Sequence, residues 1–301
     1  MCMAHPVRTN AREMNREKVS LIASRDNRWL KRFRAALAGE LGDDRIVGVE
    51  GVRLVEAALG AGIPVDALLV SESGARHLAR MKPLLPPDVP VLRTSDKLFA
   101  GVADTRTPQG IATLVRPRQA TLENLFPGRA LLAVLVGVQD PGNVGTIVRA
   151  AEAFGATGAA TCPAEGIGTA DPFGPKAMRA SAGSALRLPI VPGISPTILL
   201  AQLRMAGVKV YAAVSSETSG DTSPLLRPWN VDWNIPSAIL IGNEGAGLPG
   251  DLIRGADARV YIPQVAASAP VGIESLNAAM AASVLLYEAM RQRNAAREKH
   301  S

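Results

Sequence analysis

Cysteine and histidine are scarce in this chain. Its 301 residues include two cysteines, Cys2 and Cys162, and three histidines, His5, His77 and His300. Two cysteines that lie far apart in sequence cannot form a disulfide framework, and none of the histidines falls within the glycine-rich segments described below. The sequence therefore gives little support to a zinc centre or to Ser-His catalysis, and we expect no bound metal.

Aromatic residues and long apolar runs are also few. Phenylalanine, tryptophan and tyrosine make up 4% of the residues, which argues against broad recognition of nucleic-acid bases by stacking. The longest apolar runs, residues 131–138 and 278–290, are too short or too rich in alanine to cross a bilayer. The N-terminus lacks the apolar core of a signal peptide, so we expect a cytoplasmic protein.

Positive charge is abundant and concentrated near the N-terminus. The formal net charge is +6, and arginine and lysine crowd residues 8–34. Such a segment is either a solvated, loosely ordered arm or a surface that binds phosphate groups with release of counter-ions. We expect residues 1–18 to form a basic, flexible arm, and the charge as a whole indicates a polyanionic partner.

The rest of the sequence divides into two α/β regions. Hydrophobic residues make up 47% of the chain, which is enough for two cores at this length. Residues 19–116 predict a small α/β domain, and residues 117–130, which are polar and contain prolines, predict a linker. Residues 131–295 alternate short apolar strands with helices, which predicts a mostly parallel sheet covered on both faces.

The first glycine-rich segment of the second region spans residues 140–149. A buried strand is predicted to end at Val138, and the glycines that follow let the chain turn into a helix near Asn143. Asn143 is either the N-cap of that helix or part of a site. Arg149 lies about 120° around the helix from Asn143, so both side chains can border one cleft.

The second segment, residues 241–249, follows another predicted strand. Gly245 to Gly250 match the G-x-G-x-x-G pattern of dinucleotide-binding folds, but Pro249 interrupts the expected helical turn and the acidic residue expected about 20 positions later is missing. A dehydrogenase is therefore a weak alternative. We expect the glycines to bring backbone groups close to a nucleoside, with Glu244 buried at the turn. Capping of a helix is the structural alternative for Glu244.

The third segment joins a strand that ends at Ile262 to a helix that begins around Ser275, Leu276 and Asn277. Ser275 is either the N-cap of that helix or a site residue. The helix is rich in alanine, and its small side chains permit close packing, either in a core or across a dimer contact.

In order and spacing, these segments resemble the signature motifs of the SpoU (TrmH-like) family of the SPOUT superfamily, over residues 131–291. The resemblance implies transfer of a methyl group from S-adenosylmethionine to a ribose 2′-hydroxyl of RNA, by a trefoil-knotted α/β domain that acts as a homodimer. It implies catalytic roles for Arg149 and Asn143 and for Glu244, Ser275 and Asn277. The cofactor-binding positions that it implies are Ile241, Gly242, Asn243, Gly245, Ile262 and Leu276.

The chemistry asks for a group that activates the ribose hydroxyl. This hydroxyl is a poor nucleophile, so its proton must be drawn away as the methyl group arrives. The resemblance implies an arginine base, although a guanidinium has a pKa above about 12 and normally stays protonated. Arg149 can instead bind the adjacent phosphate and lower the pKa of the hydroxyl electrostatically, so both roles stay open.

The small domain resembles the L30e-like substrate-binding domain that often precedes SpoU domains. The residues that carry this resemblance are Ser24, Asn27, Lys31, Glu50, Gly51, Arg53 and the segment Thr107-Pro108-Gln109-Gly110-Ile111. It implies an RNA partner and favours 23S-type ribosomal RNA, with tRNA as the alternative substrate. A non-catalytic RNA-binding or ribosome-assembly factor is the alternative from another class.

Two further features depart from a simple match. The loop from Gln264 to Ile273 is longer than is typical of the family, so its contacts are not implied. Lys176 and Arg179 lie on a predicted helix between the first two motifs and either guide RNA or are merely solvated.

Overall fold

The structure is a computed structural model that describes residues 19–40, 46–118, 120–215, 223–264 and 275–298. The predicted basic arm, residues 1–18, lies outside the described residues, as does nearly all of the long loop of the third motif.

The small domain is built around a five-stranded mixed sheet. Its strands are β1 (Val19–Ile22), β2 (Val47–Glu50), β3 (Val65–Ser71), β4 (Val91–Thr94) and β5 (Ile111–Val115). Its helices are α1 (Arg28–Leu37), α2 (Val52–Gly60), α3 (Leu78–Met81) and α4 (Asp96–Ala100), with 3₁₀ turns at Ser73–His77 and Lys82–Leu84. The strand order is β1-β4-β3-β5-β2, with β1, β4 and β3 parallel and β5 antiparallel to both β3 and β2.

Helix α1 follows the pattern read from the sequence. The Asn27 side chain accepts a hydrogen bond from the Trp29 N–H at 2.8 Å and so caps the helix. Its buried residues Leu30, Phe33 and Leu37 recur at helical spacing on the side that faces the sheet. Strand β1 was not predicted, because its four residues form an edge strand in which Leu21 is exposed and the apolar alternation is weak.

The large domain contains a seven-stranded sheet. Its strands are β6 (Leu131–Val136), β7 (Gly158–Cys162), β8 (Ile190–Val191), β9 (Lys209–Val214), β10 (Leu225–Leu226), β11 (Ser237–Ile241) and β12 (Ala258–Tyr261). Its helices are α5 (Pro141–Ala153), α6 (Pro175–Ala180), α7 (Pro196–Met205), α8 (Gly250–Gly255) and α9 (Ala278–Glu298). Further 3₁₀ turns lie at Leu122–Leu125, Ser184–Leu186 and Pro228–Asn230.

All pairings in this sheet are parallel, in the order β10-β12-β9-β11-β6-β7-β8. Strands β6 and β11 lie side by side near its centre, and every residue of both is buried. The three motifs follow β6, β11 and β12. Because the carboxyl ends of parallel strands meet at one edge of a sheet, the motifs converge there.

Helices α5 and α6 pack unusually closely. A Cβ added at Gly145 would lie 2.3 Å from the Ala177 carbonyl oxygen, so only glycine fits at this crossing. Helix α9 covers the same layer with Ala278, Ala282 and Leu285, all of which are buried. The small residues of the alanine-rich helix therefore serve a close-packed core.

The two sheets share one hydrophobic core and a polar contact. Residues of α2 in the small domain and of α5 and α6 in the large one belong to the same buried cluster. The Glu50 carboxylate accepts hydrogen bonds from the N–H groups of Asp104 and Thr105, and Asp104 forms an ion pair with Arg179 on α6. Arg179 is thus more than a solvated side chain. Lys176 likewise pairs with Asp140.

Candidate functional site

One residue from each motif takes part in a series of side-chain hydrogen bonds at the carboxyl edge of the sheet. The Asn143 side-chain N–H donates to Glu244 Oε1 at 2.8 Å. The Asn277 side-chain N–H donates in turn to Asn143 Oδ1 at 3.1 Å. Both polar atoms of the Asn143 amide are therefore engaged, which fixes its orientation between the other two residues.

Asn143 is not the N-cap of α5, contrary to the capping alternative. The helix begins at Pro141, and the Asp140 carboxylate caps it by accepting from the Gly142 N–H at 2.7 Å. Proline is well suited to the first helical position because no N–H is needed there. Asn143 therefore lies inside the first turn and is free to interact with the other motifs.

Glu244 is exposed, so the expectation that it is buried at the turn was wrong. Its carboxylate lies beside the start of α5 and also accepts from the N–H groups of Gln139 and Asp140, each at 3.4 Å. Partial burial acts to raise the pKa of Glu244, but the hydrogen bonds from Asn143 and the backbone outweigh it and hold this pKa below its usual value. Glu244 is therefore an ionised acceptor at neutral pH.

The second motif forms a tight reverse turn and not a strand-to-helix nucleotide loop. Asn243 and Gly247 exchange backbone hydrogen bonds at 3.0 Å, and the Asn243 side chain accepts from the N–H groups of Gly245 and Ala246. The same side chain donates to the Gly137 carbonyl at the end of β6. A Cβ at Gly242 would lie 2.4 Å from the Gly247 carbonyl carbon. These contacts leave no support for the dehydrogenase alternative.

A cleft of about 250 Å³ opens beside this turn. Eight residues expected from the sequence line it, namely Ile241, Gly242, Asn243, Glu244, Gly245, Ile262, Ser275 and Leu276. The sequence reading missed Ala213, Val214 and Ser215 at the end of β9, which also line it. Strand β9 carries no polar motif, and only the sheet order places it between β11 and β12.

The last helix begins later than predicted. Helix α9 starts at Ala278, and the Asn277 side chain accepts from the N–H groups of Ala279 and Met280 at 2.9 and 3.3 Å. Asn277, not Ser275, therefore acts as the cap. Ser275 is exposed in the wall of the cleft.

Arg149 stands apart from this assembly. It is exposed on α5, does not line the cleft, and has no hydrogen-bond or ion-pair partner within the described ranges. Of the predicted site residues, it is the one that the fold does not bring to the others.

Other chemistries find little basis in the described part of the chain. No group of three or more His, Cys, Asp or Glu residues there could hold a metal ion. Burial raises the pKa of the Cys162 thiol to about 12, which keeps it protonated and unreactive. No helix among the described residues is long and apolar enough to cross a membrane.

Comparisons with known proteins identify the family. The chain matches the SpoU rRNA Methylase family over residues 130–287 and the MRM3-like substrate binding domain over residues 44–113. It is 32% identical over 240 residues to the 23S rRNA (guanosine(2553)-2'-O)-methyltransferase RlmP of Bacillus subtilis, covering 79% of this chain and 86% of that protein. It is also 32% identical over 251 residues to the 23S rRNA (uridine(2479)-2'-O)-methyltransferase of Streptomyces viridochromogenes, covering 81% and 82%.

A solved structure gives the same result. The AdoMet-bound rRNA methyltransferase from Sinorhizobium meliloti superimposes with a TM-score of 0.75 at 29% identity, covering 91% of this chain and 98% of that one. These matches confirm the predicted α/β fold class and the family resemblance. The chain therefore belongs to the SpoU rRNA methylase family.

Proposed function

We propose that this protein transfers a methyl group from S-adenosylmethionine to a ribose 2′-hydroxyl of ribosomal RNA. The observation that carries the proposal is that the second and third motifs line one cleft and that Glu244 in its wall is hydrogen-bonded to Asn143 of the first motif, which in turn accepts from Asn277. Both curated relatives described above are 23S rRNA 2′-O-methyltransferases.

The wall of the cleft suits the cofactor. Ile241, Ile262 and Leu276 offer apolar side chains to an adenine ring, while the turn at Gly242 and Gly245 offers backbone groups to a nucleoside. Because a Cβ at Gly242 would collide with the facing backbone of Gly247, only glycine lets the turn close in this shape. When bound, S-adenosylmethionine supplies an electrophilic methyl group on sulfur.

We assign Arg149 to activation of the hydroxyl. The positive guanidinium lowers the pKa of the hydroxyl by electrostatic attraction and binds a neighbouring phosphate through two of its N–H groups. Glu244 keeps Asn143 and Asn277 in place beside Ser275.

We expect Arg149→Ala to lose on the order of 100-fold or more in methyl transfer while cofactor binding stays within a few fold. Arg149→Lys should fail too, because a point charge cannot replace the fork.

We place Arg149 at the cleft of a second copy of the chain. Near the end of α5, the ring of Phe154 contacts that of Tyr287 on α9, with ring centroids 5.7 Å apart. Met280, Val284 and Tyr287 form a stripe along α9 and are 60%, 43% and 50% exposed. A homodimer through this face would cover the stripe and bring Arg149 toward the partner.

Mixed dimers test this arrangement. Arg149→Ala and Glu244→Ala should each be strongly impaired alone, but a mixture allowed to exchange subunits should be faster than either variant, since some clefts then combine an intact Glu244 with an intact Arg149. Val284→Glu should dissociate the dimer in sedimentation analysis and abolish transfer. A dimeric mixture that stays inactive would place Arg149 at the cleft of its own chain.

The small domain leads us to ribosomal RNA as the substrate, in the cytoplasm. We propose that residues 19–116 bind the RNA, residues 117–130 link the domains and residues 131–295 carry the reaction. Ribose methylation should be mapped in total RNA from a strain that lacks the gene. Loss at a ribosomal position is the expected result, and loss confined to tRNA would change the substrate. Unchanged methylation would favour the non-catalytic RNA-binding factor.

A further inference from the structure

A second cleft lies behind the reverse turn of the second motif. It measures about 130 Å³ and shares Asn243, Ala246, Gly247 and Leu248 with the first cleft. The rest of its wall consists of Gly137, Ala164, Glu165, Ile167, Pro249 and Gly250. The turn that separates the two clefts also carries Glu244. A group bound in the second cleft is therefore separated from the predicted reaction site only by this turn.

Glu165 lies in this second wall in a backbone conformation that glutamate rarely adopts. The N–H of Ala164 donates to the Ile167 carbonyl at 2.8 Å, and the N–H of Ile167 donates to the Ala164 carbonyl at 2.7 Å. The two residues between them, Glu165 and Gly166, have φ of +47° and +81°. This is the pattern of a type I′ turn, in which asparagine and glycine are preferred. Strain of this kind tends to persist where the side chain is used.

The Glu165 carboxylate is available for binding. It is exposed and has no hydrogen-bond or ion-pair partner among the residues that the structure describes. Beside it, Ile167, Leu248 and Pro249 offer apolar surface, and Ile167 is itself 38% exposed. The cleft thus combines two acceptor oxygens with an apolar wall, and its volume suits a single flat ring system better than a whole nucleotide.

Guanine is the RNA base that matches this chemistry. Its Watson–Crick edge presents two adjacent donors, N1–H and N2–H, and a carboxylate accepts both at once, whereas uracil offers one donor there and adenine and cytosine offer one amino group. We infer that the second cleft binds the guanine base of the target nucleotide and that Glu165 determines this specificity. The inference rests on the proposed function. The relatives leave the nucleoside undecided, since one acts on a guanosine and another on a uridine.

The test identifies the methylated nucleoside. Full-length protein is incubated with methyl-labelled S-adenosylmethionine and deproteinised ribosomal RNA from a strain lacking the gene, and the RNA is digested to nucleosides and separated. We expect the label in 2′-O-methylguanosine. Label on the ribose of another nucleoside would overturn the inference and leave the proposed function standing, whereas no label on any ribose would overturn the proposed function itself.

Variants at the turn test the role of Glu165. Glu165→Gln replaces one acceptor oxygen by a donor and should raise the KM for RNA about 10-fold or more, with a smaller change in kcat. Asparagine adopts the left-handed backbone conformation more readily than glutamate. We therefore expect Glu165→Asn to raise the KM for RNA in the same way, while its Tm stays equal or rises. Glu123→Gln, at an exposed glutamate of the linker, is the matched control and should change neither the KM for RNA nor the Tm. Unchanged KM in both Glu165 variants would remove this residue from base recognition.

Discussion

The amide of Asn143 donates a hydrogen bond to the Glu244 carboxylate at 2.8 Å, although 101 residues separate the two in sequence. The contact joins the first turn of α5 to the reverse turn after β11. Asn277 adds a third segment by donating to Asn143. Residues that act through such a chain are expected to lose function together and not independently.

Replacing both Asn143 and Glu244 should reduce the rate of methyl transfer little more than replacing one of them. We expect Asn143→Ala and Glu244→Ala each to slow single-turnover methyl transfer by about 10- to 100-fold, and the double variant to match the slower single one within a few fold. Calorimetry with S-adenosylmethionine controls for loss of the cofactor. Multiplicative rate losses would show that the two residues act separately.

The pH dependence of the reaction should not report Glu244 near neutrality. The pKa of this carboxylate lies below its ordinary value of 4.5, so Glu244 is ionised above that value and loses its contacts only as the pH falls through the lower, folded-state pKa. Glu244→Gln should therefore lower the rate without changing the shape of the pH profile between about pH 6 and 9. A rate step in this range that disappears in the variant would contradict the assignment.

A side chain at Gly242 should disrupt the cofactor cleft. The added Cβ would meet backbone atoms of Gly247 at 2.4 Å, which cannot move as a flexible side chain can. We expect Gly242→Val to weaken S-adenosylmethionine binding at least 10-fold, which is about 1.4 kcal/mol. Leu276→Asp should do the same by placing a charge in the apolar wall. Gly60→Ala is the control, because a Cβ there meets nothing within 4 Å. If folded variants bind S-adenosylmethionine with wild-type affinity in calorimetry, the cofactor does not bind in this cleft.

The Asp104–Arg179 ion pair should matter for RNA more than for stability. The two side chains are 35% and 44% exposed, and such pairs contribute about 0.2–1 kcal/mol. The pair nevertheless connects helix α6 to the loop at Asp104 and Thr105, whose N–H groups donate to Glu50. We expect Asp104→Arg and Arg179→Asp each to raise the KM for RNA, and the double reversal to restore it, with little change in Tm. If Arg179 contacts RNA directly, the double reversal will not recover binding.

Arg293 should be a strong stability determinant. Its guanidinium donates to four backbone carbonyls, those of Arg129, Ala130, Trp233 and Ile235, and so fastens α9 to the chain that enters β6 and β11. Burial lowers its pKa to about 10, so it stays charged at neutral pH. We expect Arg293→Ala to cost about 3 kcal/mol, because the carbonyls lose a charged donor. Arg293→Lys should recover part of the loss in thermal unfolding, since an ammonium cannot reach all four. An unchanged Tm in Arg293→Ala would contradict this role.

Much of the site could be predicted from the sequence because its residues lie in short contiguous segments. Glycines beside Asn143 and Glu244, and the segment Ser275-Leu276-Asn277, stand where a simple core would place apolar residues. The apolar runs that precede them predicted buried strands, and β6 and β11 are indeed buried throughout. Helix starts were less accurate, because Asp140 and Asn143 are both good caps and only the Pro141 backbone geometry and the Gly142 contact decide between them.

Sheet order and side-chain neighbours came only from the tertiary structure. Strand β9 lines the cleft because it lies between β11 and β12, an order that depends on how whole layers pack and that leaves no local signal. The same holds for the exposure of Glu244 and for the position of Arg149 outside the cleft. Residue types and their spacing determined which chemistry is possible, whereas the parallel packing of strands determined which residues meet, because contacts between distant segments depend on the free energy of the whole core.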